Sequence, residues 1–143
     1  MRLSNLADYA VVMLSAAARR AGDDRLTATL LAEETGVPLP TAQKLMGRLA
    51  SAGLLTSARG TGGGFALARA PAEISLADII EAVEGPIVMA SCVEEGRHDC
   101  GLEDGCQVRP HWGIVNSAVR GVLGGVSLAS LAAAPQANGG VAA

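Results

Sequence analysis

Cys92, Cys100 and Cys106 fall within fifteen residues, spaced Cys-x7-Cys-x5-Cys, and no other position of the 143-residue chain is cysteine. An odd number of thiols argues against a disulfide framework, and thiolates gathered on one loop suit a soft metal or an iron–sulfur cluster. Zinc would need a histidine as fourth ligand, and the tight Cys-x2-Cys pair of structural zinc sites is absent. The neighbouring Glu94, Glu95, Asp99, Glu103 and Asp104 disfavour free thiolates, so a metal is the better source of charge stabilisation for these sulfurs. The plainer reading is a redox-inert loop. His98 and His111 are the only histidines, and no nucleophile–base constellation is present, so the chain is not read as an enzyme and no small-molecule substrate is expected. A small electron carrier is the remaining reading of that class.

A second chemistry lies upstream. Positions 35 to 72 hold no acidic residue but carry Lys44, Arg48, Arg59 and Arg69, with the glycine turn Arg59-Gly60-Thr61-Gly62-Gly63-Gly64. A window of one sign favours a phosphate-rich partner, because each neutralised phosphate releases counterions. The formal net charge of −3 conceals this. Residues 1–70 hold 8 Lys and Arg against 5 Asp and Glu, a balance of +3, whereas residues 71–143 hold 3 against 9, a balance of −6. The aromatics Tyr9, Phe65 and Trp112 are too few for a single-strand stacking platform, so duplex DNA is the expected partner. The glycine turn lacks the Gly-Lys-Ser/Thr ending of a nucleotide-binding loop, and no helix follows it at once. No apolar run approaches the roughly 18 residues of a membrane span, and Arg2 and Asp8 interrupt the start, so no membrane partner and a cytoplasmic location are expected.

These residues need elements to position them. Ser4 is suited to cap a first helix with Leu3, Leu6, Ala10, Met13 and Ala17 at helical spacing, closed by Gly22. A second helix is predicted over 29–35, ended by Gly36, and Pro40 suits the first turn of a third helix that Gly53 stops. Two short helices joined by a tight turn form a helix-turn-helix, whose second helix is offered to the major groove. On that helix Ala42, Leu45, Leu49 and Ala52 form one face, and Thr41, Lys44, Arg48 and Ser51 another that bears no carboxylate. An ordinary solvated face is the competing reading. Short strands over 54–58 and 65–68 would flank the glycine turn as a wing. Residues 75–84 read as a capped amphipathic helix, 90–110 as a loop. Beyond it Trp112, Val115, Val119, Val122 and Val126 recur at spacings of three and four, an a/d seam that calls for a second copy of the chain or else lies on its own domain. A last short helix is predicted over 127–133, and the tail from Pro135 is expected to be disordered.

The expected fold is therefore mainly α with a small β-hairpin wing. A winged helix-turn-helix domain occupies 1–72, a connecting helix 73–90, a cysteine loop 91–108, a long dimerisation helix with a short terminal helix 109–134, and a tail 135–143. The candidate DNA-binding residues are Thr41, Gln43, Lys44 and Arg48 on the third helix and Arg59, Thr61, Gly62 and Gly63 in the wing.

The set formed by Met-Arg-Leu-Ser, Asp8-Tyr9-Ala10, Leu54, the wing from Arg59 to Phe65, the helix Ser75-Leu76-Ala77-Asp78-Ile79-Ile80-Glu81-Ala82-Val83, the three cysteines and Trp112 resembles the IscR-type iron–sulfur-sensing winged-helix regulators. Within them it is most similar to regulators of the SUF cluster-assembly system. The resemblance covers nearly the whole chain. It implies a homodimer on double-stranded promoter DNA, regulating cluster-assembly genes through a cysteine-ligated cluster, 2Fe–2S in preference to 4Fe–4S. The best-known members place a histidine three residues after the last cysteine; here that position is Arg109, and His111 follows within Arg109-Pro110-His111-Trp112. His111, Asp8 and an acidic loop residue such as Glu94 or Glu103 are thus alternative fourth ligands, Asp8 matching an aspartate that ligates across the dimer in a nitric-oxide-sensing branch. A family member without a cluster, answering thiol oxidation, nitric oxide or a partner protein, is the alternative.

Overall fold

The computed structural model describes residues 2–20, 25–58, 63–93, 99–102 and 104–133. The Ser4 hydroxyl accepts from the Ala7 amide at 3.1 Å and so starts α1, Asn5–Arg19, by satisfying one of its orphan donors. Gly22, expected to close this helix, lies outside the described residues. Thr27 caps α2, Ala28–Thr35, which ends in Gly36 at φ +83°, a left-handed value that glycine adopts without a Cβ penalty. α3, Leu39–Ser51, follows at once with Pro40 in its first turn, where a missing N–H costs nothing. Its buried face is Ala42, Leu45, Met46 and Leu49; Ala52, expected on that face, is exposed just past the helix end.

The wing pairs β1, Leu55–Ala58, with β2, Gly64–Leu67, antiparallel, Ser57 opposite Phe65. A third stretch joins it that the sequence reading did not foresee. Leu26 exchanges both backbone hydrogen bonds with Phe65, at 2.8 and 2.7 Å, which ties the connection between α1 and α2 to the hairpin. The tip of the wing, with Arg59, Gly60, Thr61 and Gly62, lies outside the described residues.

α4, Leu76–Glu84, starts in a capping box in which Ser75 and Asp78 satisfy each other's backbone amides. α5, Arg109–Gly124, and α6, Leu128–Ala132, complete the order. Ser75 and Ser127 are bridged backbone to backbone, and each caps the helix that follows it. Through this bridge the C-terminal end returns to the N-terminal body: Ile74, Ile79, Val83 and Leu128 share one core with Ala7, Ala10, Met13, Leu14, Leu45 and Leu49. α4 and α6 are thus walls of the same core as α1, and packing runs across the boundary expected at 72/73. The tail beyond 133 lies outside the described residues.

Gly64 has φ +150°, and a Cβ built there would lie 2.8 Å from the Leu26 carbonyl oxygen. That oxygen already accepts from Phe65, so neither partner can yield cheaply. Gly64→Ala is expected to cost about 1–3 kcal/mol, read as a lowered urea midpoint.

Candidate nucleic-acid interface and thiol loop

The four candidate residues on α3 differ in their surroundings. Gln43 and Lys44 are exposed, whereas Thr41 and Arg48 are half-buried. The Arg48 guanidinium donates to the Val83 carbonyl at 3.2 Å, satisfying one of the carbonyls that the last turn of α4 leaves without an intrahelical partner. Arg48 therefore has a structural partner besides any phosphate. An open depression of about 680 Å³ separates α3 from α4 and brings Glu81 to the wall opposite Lys44 and Arg48. The helix face that carries no carboxylate in sequence thus meets one in space. Gly63 is half-buried just before β2; Arg59, Thr61 and Gly62 lie outside the described residues.

Glu81 is itself engaged. One carboxylate oxygen accepts from the Ile87 amide at 3.0 Å and the other from Arg120 at 2.7 Å. The hydrogen bond to Glu81, and then its charge, raise the Arg120 pKa above the ordinary arginine value. From Ile87 the chain runs half-buried to a single 3-10 turn, Ser91–Val93, which packs against α5 and carries Cys92. Asn116 of α5 holds this run through Met89 and Ile87.

Cys92, Cys100 and Cys106 are all free thiols and half-buried. His111 is exposed in the first turn of α5, and Asp8 is exposed in the first turn of α1. Three thiols with an imidazole fit iron in donor chemistry. Among the described residues, however, no group of three His, Cys, Asp or Glu is close enough to hold a metal ion. Glu94, Glu95, His98 and Glu103 lie outside the described residues.

The seam on α5 is open. Trp112, Val115 and Val122 are 36%, 40% and 71% exposed, and Ile114, which the spacing did not single out, is 69% exposed. Val119 and Val126 are half-buried, and no residue of α5 is fully buried. Among the described residues no helix is long and apolar enough to cross a membrane.

A family model described as an iron-dependent transcriptional regulator, Rrf2, matches residues 3–134. The chain belongs to the Rrf2 family. This Rrf2 protein is 30% identical over 131 residues to the HTH-type transcriptional regulator IscR of Photorhabdus laumondii, covering 92% of this chain and 79% of that one. It is 34% identical to the protein aau3 of Rhizobium meliloti, over 96% of this chain and 90% of that one. Among solved structures it is similar to CymR, the global cysteine regulator of B. subtilis, with TM-score 0.70, 27% identity and coverage of 92% and 96%. IscR of T. potens matches with TM-score 0.67, 27% identity and coverage of 92% and 85%. The oxidised form of CymR from Staphylococcus aureus matches with TM-score 0.69, 28% identity and coverage of 95% and 99%. The Rrf2 protein is accordingly a DNA-binding transcription regulator with a winged-helix fold, and not an enzyme.

Base readout and phosphate contact are expected to be separable on α3. Gln43→Ala and Lys44→Ala are expected to weaken the specific operator complex by about 1–3 kcal/mol each and to relax discrimination. Arg48→Ala should weaken all DNA sequences alike and also lower folding stability by about 1 kcal/mol through the lost Val83 bond. Gel shifts at graded salt and urea unfolding check the two arms.

Proposed function

We propose that this Rrf2 regulator reports iron–sulfur supply to promoter DNA and controls genes of SUF-type cluster assembly. One observation carries the reading: three free, half-buried thiols lie in the stretch that leads into α5, the first of them on a turn that packs against this long helix, whose apolar face is open. Cys92, Cys100 and Cys106 would hold an iron–sulfur cluster, 2Fe–2S in preference to 4Fe–4S, with His111 ranked before Asp8 as fourth donor. Such a group, when bound, supplies a link between the sulfurs that lasts only while iron and sulfide are available. The chain's own residues do the rest. The three sulfurs order the run from Ser91 to Val108 against the base of α5, and the valine seam joins two copies, so that two α3 helices face successive major grooves. Thr41, Gln43 and Lys44 meet base edges, while Arg48 and the wing with Arg59, Thr61, Gly62 and Gly63 meet the backbone or minor groove.

A second reading has its own support. The likeness to CymR, including an oxidised form, together with thiols not gathered around one point, favours a member that answers thiol oxidation, nitric oxide or a partner protein without a cluster. It requires a triple serine variant to bind its operator like the wild type under all conditions except oxidation.

Single replacement of Cys92, Cys100 or Cys106 by Ser should remove most visible absorbance from anaerobically purified protein. Full retention of a cluster spectrum in all three variants would end the cluster reading. Val119→Glu or Val122→Glu should bury a charge at the subunit contact, cost several kcal/mol of association and give a monomer in sedimentation. An unchanged dimer moves the contact away from α5.

A further inference from the structure

Asn116 commits both ends of its amide to one stretch of backbone. Its Oδ1 accepts from the Met89 N–H at 2.7 Å, and its Nδ2 donates to the Ile87 carbonyl at 3.1 Å. This two-point grip fixes residues 87–89 much as a neighbouring strand would. Ile87 in turn donates its N–H to Glu81, whose second oxygen holds Arg120, one turn along α5 from Asn116. Glu81 lies in the final turn of α4, which is itself pinned twice. The Val83 carbonyl takes the Arg48 guanidinium, and the Glu84 carboxylate takes the Ser4 hydroxyl. A path of side-chain hydrogen bonds, continued from Glu81 to Val83 through the backbone of α4, therefore runs from Met89, three residues before Cys92, to Arg48, one turn beyond Lys44 on α3.

The path ends on a group with two uses that compete for it. The guanidinium that donates to the Val83 carbonyl also lines the depression between α3 and α4, so a phosphate that drew it outward would compete with that one bond. Displacing the run from Ile87 to Val93 must break the Asn116 grip, break the Ile87–Glu81 bond, or carry Glu81 and with it the last turn of α4 along. A two-state group biased by a distant contact is the physical requirement for coupling between sites.

We propose that Asn116 and Glu81 are positioning residues which transmit the arrangement of the Cys92 loop to α3 by setting whether Arg48 stays on Val83 or turns to DNA. The inference rests on the regulator reading above for what moves the loop, and on hydrogen bonds joined through the last turn of α4 for the path. Two measurements on the full chain separate these. The first is a double-mutant cycle of Asn116→Asp, which keeps the acceptor for Met89 but loses the donor to Ile87, with Arg48→Met. It is read as affinity of the reduced, metal-free chain for its own upstream DNA. The effects should be non-additive by about threefold or more; independent effects that multiply within twofold of each other overturn the path.

The second compares that affinity before and after reconstitution with ferrous iron and sulfide. The wild-type ratio should collapse towards one in Asn116→Asp, with urea midpoint and helical circular dichroism kept; a ratio held at the wild-type value overturns the proposal. A wild-type ratio of one sinks the sensing reading, and the cycle alone then decides the path. Glu81→Gln, which weakens the Arg120 bond with almost no change in volume, repeats both measurements if Asn116→Asp fails to fold.

Discussion

Close packing against the alanine-rich flank of α1 is the constraint on which the remaining structure depends. Ala7, Ala10, Ala16 and Ala17 are almost fully buried, and α2, α3, α4 and α6 all touch this one helix. Small side chains let helix backbones approach, and Met13 and Leu14 fill the space between them. With one Phe, one Tyr and one Trp in the chain, there are few large rings to span gaps, so the helices must come close for the aliphatic core to be continuous. The return of α6 to α1 follows from the same need: Leu128 is fully buried, and Arg19 donates to the Ala132 carbonyl at 3.1 Å.

That packing decides where the charged groups end. α4 is held against α1 by its buried face of Ala77, Ile79 and Val83, which turns Glu81 towards α5 and leaves the Val83 carbonyl to Arg48. The last turn of α4 becomes the meeting point of α3, the start of α1 and the run from Ile87 that leads to Cys92. The acidic C-terminal half thus contributes a carboxylate beside the basic surface, and Arg120 pairs with that carboxylate. Charge separation between the halves is preserved where it would matter for a polyanion.

Membership of the Rrf2 family accounts for the winged helix-turn-helix and for DNA binding, but the similar proteins, IscR and CymR among them, do not by themselves choose between the two proposed readings. The choice lies in the short loop between α4 and α5. Three free sulfurs lie there, and the first of them, Cys92, follows three residues after the Met89 amide that Asn116 holds. The open apolar face of α5 adds the other unfinished element, because Trp112, Val115 and Val122 have no cover within the described chain.

Much of this was legible in the residues taken in order. Ser4 and Ser75 as caps, Gly36 as a left-handed stop, Pro40 in a first turn and the hairpin around a glycine run are local matters, settled within a few residues by hydrogen bonding and allowed backbone angles. The cysteine spacing and the one-sign window are equally visible in one dimension. What required the tertiary structure were partnerships between residues far apart in sequence. Leu26 on Phe65, Ser75 beside Ser127, Arg48 on Val83, Asn116 on Met89 and the exposure of Ala52 in place of Met46 carry no local signal. Such pairs depend on which helix faces meet, and that is set by the packing of the whole core rather than by the propensity of any one segment.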